Sequence, residues 1–252
     1  MDNKELTSLI KPNERLDDLQ INNLKIIQNP DIFCFGMDAV LLSSFVRTKT
    51  KGKVLDLCTG NGIIPLLLSA KIPYSHIDCI EIQEESADIA NRSILYNNLE
   101  NDITLTKGDV KDAHNIYGKG VYDIVTANPP YMNTGHGIKN PNEPKAIARH
   151  ELLLTLEDLI LEASNLLKPS GHFFMVHRPH RLVEIIDLMR KYKLEPKRLR
   201  LIYPYVDKEP NMLLIEGVRA GKPFLTVESP LIVYNQDGSY TEELLRLYGM
   251  EK

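Results

Sequence analysis

The segment KVLDLCTGNG, Lys53 to Gly62, decides how the chain is read. Lys53–Cys58 predicts a strand, and Gly60-Asn61-Gly62 leads directly into an apolar helical pattern over Ile63–Lys71. A Gly-x-Gly between a strand and a helix lets a ligand approach the backbone at a helix N-terminus. Two ligands remain open at that point. A dinucleotide would use Glu81, which ends the next strand where a ribose-binding acid belongs. Against it, Pro65 stands where the third glycine of GxGxxG would close on the sheet. Asp56 also sets a carboxylate where a pyrophosphate would lie. A cation without phosphates suits that loop better, and S-adenosylmethionine has this character.

Outward from the loop, strand-like and helix-like segments alternate, the pattern of a sheet covered by helices on both faces. Ile77–Ile82, Ile103–Thr106, Val121–Ala127 and His172–His177 predict further strands, with helices over Glu84–Asn98, Thr155–Leu167 and Leu182–Tyr192. Leu199–Tyr203 and Met212–Arg219 have no helical pattern between them and predict an antiparallel hairpin at one edge. The expected fold is α/β, with a mixed seven-stranded sheet. Residues 1–50, holding a strand at Leu24–Gln28 and a helix over Ala39–Arg47, form an N-terminal extension to a main domain, 51–252. Residues 132–148 are polar and proline-rich, and a loop of that length inside a domain is functional or disordered.

The 252 residues are 43% hydrophobic and 25% charged, ordinary for a globular protein. The first twenty residues lack an apolar core, so no signal peptide is expected, and no apolar run is long enough to span a bilayer. Cys34, Cys58 and Cys79 have no CxxC spacing and read as reduced core cysteines of a cytoplasmic protein. His177 and His180 flank Pro179 at a strand end and make no metal pair; no zinc-like spacing occurs. Net charge is −4, yet Arg178 and Arg181 form one basic cluster and Lys197, Arg198 and Arg200 another. Such clusters are phosphate contacts or a solvated charged face.

At the end of the fourth strand stands Asn128-Pro129-Pro130-Tyr131. A planar amino group has its lone pair delocalised and is a poor nucleophile. Two acceptors on its two N–H bonds pull the nitrogen toward tetrahedral geometry. The Asn128 side chain offers one acceptor, and the Pro129 carbonyl, fixed by the next proline, offers another. Tyr131 supplies a flat face for stacking, so that positioning carries much of the catalysis. The alternative is a rigid Pro-Pro turn with a core tyrosine.

DLCTGNG, IEI with Glu81, GDV with Asp109, and NPPY together resemble the motif series of class I S-adenosylmethionine-dependent methyltransferases, a Rossmann-like fold. The resemblance implies that Thr59, Gly60, Asn61 and Gly62 pack on the cofactor, with Asp56 near its methionine end. It implies Glu81, beside Ile82, on the ribose hydroxyls and Asp109, beside Val110, on the adenine amino group; Asn128 touches both cofactor and substrate. ERLDDLQ, IIQNP, FGMDAVLL, ARHE, KPSGHFFMVHRPHRL, EPKRLRLIYP and NMLLIEG run in order from Glu14 to Gly217. With them nearly the full chain resembles the bacterial tRNA1(Val) adenine-37 N6-methyltransferases and their Gram-positive relatives. That likeness implies that Phe35, Gly36 and Asp38 close the cofactor pocket. Arg149 and His150, with Glu151, would order the substrate loop. It further implies tRNA as the substrate; a monomer without a metal is expected. Other NPPY substrates stay open: guanine N2 in ribosomal RNA, adenine N6 in DNA, and glutamine N5 in release factors. So does a non-catalytic S-adenosylmethionine- or RNA-binding module. Cys58, where glycine is common, and Pro210, before Asn211-Met212, depart from the pattern.

Overall fold

The computed structural model describes residues 3–32, 34–130 and 154–250. Its central strands are apolar along nearly their whole length because helices cover both faces. They are β3 (Lys53–Leu57), β4 (His76–Glu81), β5 (Ile103–Lys107), β6 (Tyr122–Ala127) and β7 (Leu167–His177). These five run parallel in the order β5-β4-β3-β6-β7. The hairpin follows as β8 (Leu194–Tyr203) and β9 (Met212–Arg219), with β9 inserted antiparallel between β7 and β8. This is the mixed seven-stranded sheet that the sequence predicts. Two further strands of two residues each, β10 (Thr226–Val227) and β11 (Leu231–Ile232), lie parallel on the outer side of β8. They cover an edge that would otherwise offer unpaired backbone.

Side chains alternate across each strand, so the sheet divides the core in two. Val54, Ile124 and Phe174 join one cluster with α2 (Met37–Phe45) and α3 (Ile63–Lys71). Leu55, Val125 and Phe173 join the other with α6 (Leu156–Leu166) and α7 (Leu182–Lys191). Between these pairs of helices in sequence come α4 (Glu84–Tyr96) and the short α5 (Ala113–Tyr117). The N-terminal α1 (Asn3–Ser8) precedes a separate antiparallel pair, β1 (Arg15–Asp18) with β2 (Lys25–Gln28). This segment is strapped to α4: Arg92 donates to both Glu14 oxygens at 2.6 and 2.7 Å, and Ile27 N–H donates to Ser93 Oγ at 3.0 Å.

Two boundaries differ from the sequence expectation. β7 begins at Leu167, before Pro169, because Lys168–Gly171 bulge out between the pairs Tyr122–Leu167 and Ile124–His172. Proline is tolerated in such a bulge because its missing N–H is not needed there. β8 begins at Leu194 rather than Leu199, with a second bulge at Pro196–Arg198. The last helix, α8 (Glu242–Leu247), packs beside α2.

The chain order reverses between β3 and β6. β4 and β5 lie on one side of β3, and β6 returns to the other. The crevice beyond the strand ends at that reversal is where open α/β sheets bind ligands.

Candidate active site

The loop after β3 turns through three left-handed residues, Cys58 (φ 58°), Gly60 (φ 57°) and Gly62 (φ 85°). Gly62 caps α3, and a Cβ there would stand 3.1 Å from Ala90 Cβ, so the loop lies tight against α4. Thr59 N–H donates to Ile80 O at 3.1 Å, which ties the loop to β4. Beneath it lies Asp56, fully buried, accepting from Thr59 Oγ1 at 2.7 Å and Thr126 Oγ1 at 2.6 Å. Burial raises its pKa to about 7 against the lowering effect of both hydroxyls, and the Glu81 charge adds to the rise. The sequence reading placed Asp56 against the cofactor; the structure places its carboxylate out of solvent, bracing the loop from below.

Glu81, at the end of β4, is buried as well, at 5% exposed. Its two oxygens accept from Gly60 N–H and Gln83 N–H, both at 2.8 Å, so it ties the glycine loop to the turn after β4. Ile82 beside it is 45% exposed, an apolar surface next to a carboxylate. Asp109 accepts from Lys111 N–H at 2.9 Å and caps the turn over Val110–Asp112, with Val110 itself buried. Asn61 is 2% exposed, and neither polar atom of its side chain has a hydrogen-bond partner. Orphaned buried polar groups of this kind mark a place where a ligand or water belongs.

Three acids therefore surround the loop. Burial and their charges push the Cys58 thiol well above its ordinary range, so it stays protonated and is no nucleophile. This donor set fits a ligand with hydroxyls and a positive centre, as S-adenosylmethionine has, and repels a pyrophosphate.

The β3–β6 pairing, Leu57 opposite Ala127, brings Asn128 alongside the glycine loop. Asn128 and Pro130 are half-buried and Pro129 is buried. Tyr131, Arg149 and His150 lie outside the described residues. A cavity of about 330 Å³ opens beside the two prolines, walled by Leu154–Glu157, Leu159, His177, Arg181 and Glu184. The sequence weighed His177 only as a metal partner of His180 and set it aside because Pro179 separates the two at a strand end. The β6–β7 pair Ala127–Met175 places it: two residues on are Pro129 and His177. His177 is 3% exposed, and its Nδ1 accepts from Arg178 N–H at 2.8 Å, which leaves the proton on Nε2. Burial, then the charges of Arg181 and His180, pull its pKa down to about 4.

Phe35, Gly36 and Asp38 stand at the start of α2, the helix that packs beside α3. Phe35 N–H donates to Gln28 Oε1 at 3.0 Å, Gly36 caps the helix, and Asp38 Oδ1 accepts from Ala39 N–H at 3.0 Å. Of the basic residues, Arg181 lines the cavity beside Pro129 and Pro130, and Arg178 directly follows His177. Arg178 donates to Asn211 O at 2.8 Å and Arg181 to Glu184 at 2.8 Å. Lys197, Arg198 and Arg200 lie on β8, three strands from β6, or roughly 14 Å at the usual spacing. Arg198 is held by Glu216, by Glu228 at 2.9 Å and by the Phe45 carbonyl at 2.8 Å. Lys197 donates to Lys222 O, and Arg200 to Ser229 O and Glu243. The structure does not bring these three to the crevice. Among the described residues no cluster of three or more His, Cys, Asp or Glu is arranged for a metal ion, and no helix is long and apolar enough to cross a membrane.

A family model for the methyltransferase small domain matches residues 23–193. A Porphyromonas gingivalis protein named tRNA1(Val) (adenine(37)-N6)-methyltransferase is 30% identical over 223 residues, covering 84% of this chain and 86% of the relative. A protein of the same name from Aeromonas hydrophila is 26% identical, over 84% of this chain and 87% of its own. Among solved structures, a predicted O-methyltransferase from Agrobacterium tumefaciens superposes with a TM-score of 0.69 at 22% identity, covering 84% of this chain and 96% of its own. Geranyl diphosphate C-methyltransferase from Streptomyces coelicolor, in complex with S-adenosyl-L-homocysteine, superposes at 0.54 with 14% identity, over 72% and 79%.

Proposed function

The chain belongs to the methyltransferase small domain family and is an S-adenosylmethionine-dependent methyltransferase, and from that premise we propose that its acceptor is the N6 amino group of adenine-37 in a tRNA for valine. The observation that carries the reading is the β3–β6 register, which sets the Asn128-Pro129 acceptors beside the glycine loop. The names of the relatives supply the substrate.

S-adenosylmethionine supplies a sulfonium methyl group, which passes to nitrogen as its bond to sulfur breaks and leaves the electron pair on sulfur. Glu81, Asp109 and the Gly60–Gly62 backbone hold the donor, with Ile82 and Val110 as apolar walls and Asn61 meeting a polar group of the ligand. The Asn128 side-chain oxygen and the Pro129 carbonyl accept the two amino N–H bonds and hold the nitrogen lone pair in line. Tyr131 stacks on the flipped base. The proton lost from nitrogen goes to water, because the His177 imidazole carries its proton on Nε2 and is a weak base. Arg178 and Arg181, at the mouth, meet the phosphates, and Arg149 and His150 order the loop over the base.

The division into an extension, 1–50, and a transferase domain, 51–252, belongs to the same proposal; the packing of α2 against α3 supports an extension that closes the pocket. We assign the activity to a metal-free monomer in the cytoplasm, where its RNA is found.

The test is single-turnover methyl transfer to unmodified valine tRNA, with nucleoside mass spectrometry of the product. N6-methyladenosine at position 37 is expected. In Asn128→Ala the rate should fall about a hundredfold or more, the scale set by removing one preorganised polar group from the reacting centre, with donor affinity and melting temperature retained. Methylated guanine or a methylated protein glutamine in place of adenine would overturn the substrate and keep the clamp.

A further inference from the structure

The stretch Arg47-Thr48-Lys49-Thr50-Lys51-Gly52-Lys53 carries four cations and no acid in a chain whose net charge is −4. It leaves α2 and enters β3 at the start of the strand, the end opposite the glycine loop. There Arg47, Lys49, Thr50 and Gly52 border a concavity of about 790 Å³, whose other walls include Lys71, Asp123 and the Pro169-Ser170-Gly171 bulge of β7, with Lys51 and Lys53 just outside that lining. Lys49, Lys51 and Lys53 are exposed, and among the described residues they make no ion pair. Arg47 is 65% exposed in its side chain and meets Glu228 at 3.3 Å.

The acid in the wall does not cancel this charge. Asp123 accepts from Lys168 Nζ with both oxygens at 2.9 Å, and from Lys53 N–H at 2.8 Å. Lys71 has only neutral partners, Ser44 Oγ at 2.5 Å, Ser43 Oγ at 3.2 Å and Leu247 O at 3.4 Å. Sheet topology adds to the cluster. Lys119 precedes β6, Lys193 precedes β8, and Arg219 ends the antiparallel β9, so all three come to this same end. The contrast with β8 is direct. Arg198 and Arg200 looked like the phosphate-binding cluster in the sequence, yet each is tied to acids of its own fold.

We propose that the strand-start end of the sheet, centred on Lys49, Lys51 and Lys53, is a second contact surface for the phosphodiester backbone of RNA, remote from the methyl-transfer site. The proposal rests on an RNA substrate as read above. An open concavity of this size, rimmed by separate cations rather than by converging donors, fits a run of backbone phosphates better than one small anion. The two ends of β3 are roughly 13 Å apart at the usual rise per residue, and the flanking loops add to that. With the anticodon loop's base in the crevice at one end of the sheet, the phosphates that meet the opposite end belong to parts of the tRNA further from that base. The surface therefore selects for the complete molecule, while the clamp selects the base.

The test compares Lys49→Glu/Lys51→Glu with wild type, because both residues are exposed and their replacement leaves the core untouched. Affinity for full-length unmodified tRNA and for the anticodon stem-loop is measured by fluorescence anisotropy across a salt series, with transfer rates at saturating stem-loop alongside. Wild type should bind the full tRNA about tenfold or more tighter than the stem-loop. The variant should lose that advantage, and its salt slope on full tRNA should fall by roughly 0.7–0.9 for each phosphate no longer neutralised. Stem-loop affinity and turnover should stay as in wild type. Unchanged tRNA affinity and slope would overturn the proposal, as would an equal loss on both RNAs. So would retained RNA binding with lost binding to phosphatidylserine vesicles, which would make the surface a membrane contact. If wild type methylates neither RNA, the substrate proposed above fails, and the binding comparison still decides this surface.

Discussion

Thr126 Oγ1 donates a hydrogen bond to Asp56 Oδ1 at 2.6 Å, between residues that are direct partners across β3 and β6. Thr59 donates to the other oxygen, so one buried carboxylate joins the glycine loop to the strand that carries Asn128 two residues later. The donor's loop and the acceptor's clamp are therefore tied through this side chain as well as through the β3–β6 backbone pairing.

That carboxylate titrates near pH 7. Below it the loop rests on a neutral acid, and above it on an anion. S-adenosylmethionine carries a sulfonium charge that S-adenosylhomocysteine lacks. Raising the pH from 6 to 8 should tighten the first relative to the second by several-fold, as expected for a partly screened charge pair. Asp56→Asn should leave the ratio flat. Calorimetric titration of both ligands at the two pH values measures it, and a wild-type ratio independent of pH would remove Asp56 from the electrostatics of the site.

Glu81, buried at the end of β4 beside the glycine loop, accepts two backbone N–H bonds. Glu81→Ala should weaken S-adenosylmethionine binding by about 1–3 kcal/mol, and it leaves Gly60 N–H without its acceptor. Glu81→Gln retains one acceptor and separates the two effects: loop order should recover, seen as melting temperature, while ligand affinity stays low. Full recovery of affinity in Glu81→Gln would mean that the acid acts only on the loop.

The central elements were legible because β3, β4 and β6 are almost continuously apolar and each is followed by turn residues. The β1–β2 pair was only half legible. Arg15–Asp18 is polar, and its partner β2 is buried against α4 rather than within the main sheet. The start of β7 was hidden by Pro169, which reads as a stop until the bulge is seen. Charge misled on β8: the sequence shows Arg198 but not that Glu216 and Glu228 close on it. His177 was invisible for the opposite reason. Nothing in HRPHR distinguishes it until the register sets it beside Pro129.

Cys58 stands at φ 58°, a conformation that costs an ordinary L-residue about 1–2 kcal/mol and glycine almost nothing. Its half-buried side chain contributes some packing in return. Cys58→Gly should therefore leave stability unchanged or raise it slightly, with activity intact. Gly62→Ala should do the reverse, because φ is 85° and the added methyl meets Ala90 at 3.1 Å. A lower melting temperature together with weaker S-adenosylmethionine binding is expected. Gly62→Ala/Ala90→Gly should relieve only the contact. If the double variant recovers fully, backbone strain at Gly62 is not the cause.

His177 and Asp56 make opposite contributions to stability over overlapping pH ranges. The folded pKa of His177, about 4, lies below its ordinary 6.5, so between those values the unfolded chain binds the extra proton and stability rises with pH. Asp56 has a folded pKa of about 7, above its ordinary 3.8, so there the folded chain holds the proton and stability falls as pH rises. Each full shift corresponds to roughly 3–4 kcal/mol, and in the wild type the two largely offset. Urea denaturation of Asp56→Asn should expose the histidine and give stability that climbs from pH 4.5 to 6.5. His177→Gln should expose the aspartate and give stability that declines across the same interval. His177→Gln should also keep donor affinity while reducing transfer rate, since the cavity wall beside Pro129 changes and the glycine loop does not. Because the imidazole stays neutral, the wild-type rate should show no histidine limb between pH 5.5 and 8. A limb near pH 6.5 that disappears in His177→Gln would make the residue a base in the reaction rather than a fixed wall beside the clamp.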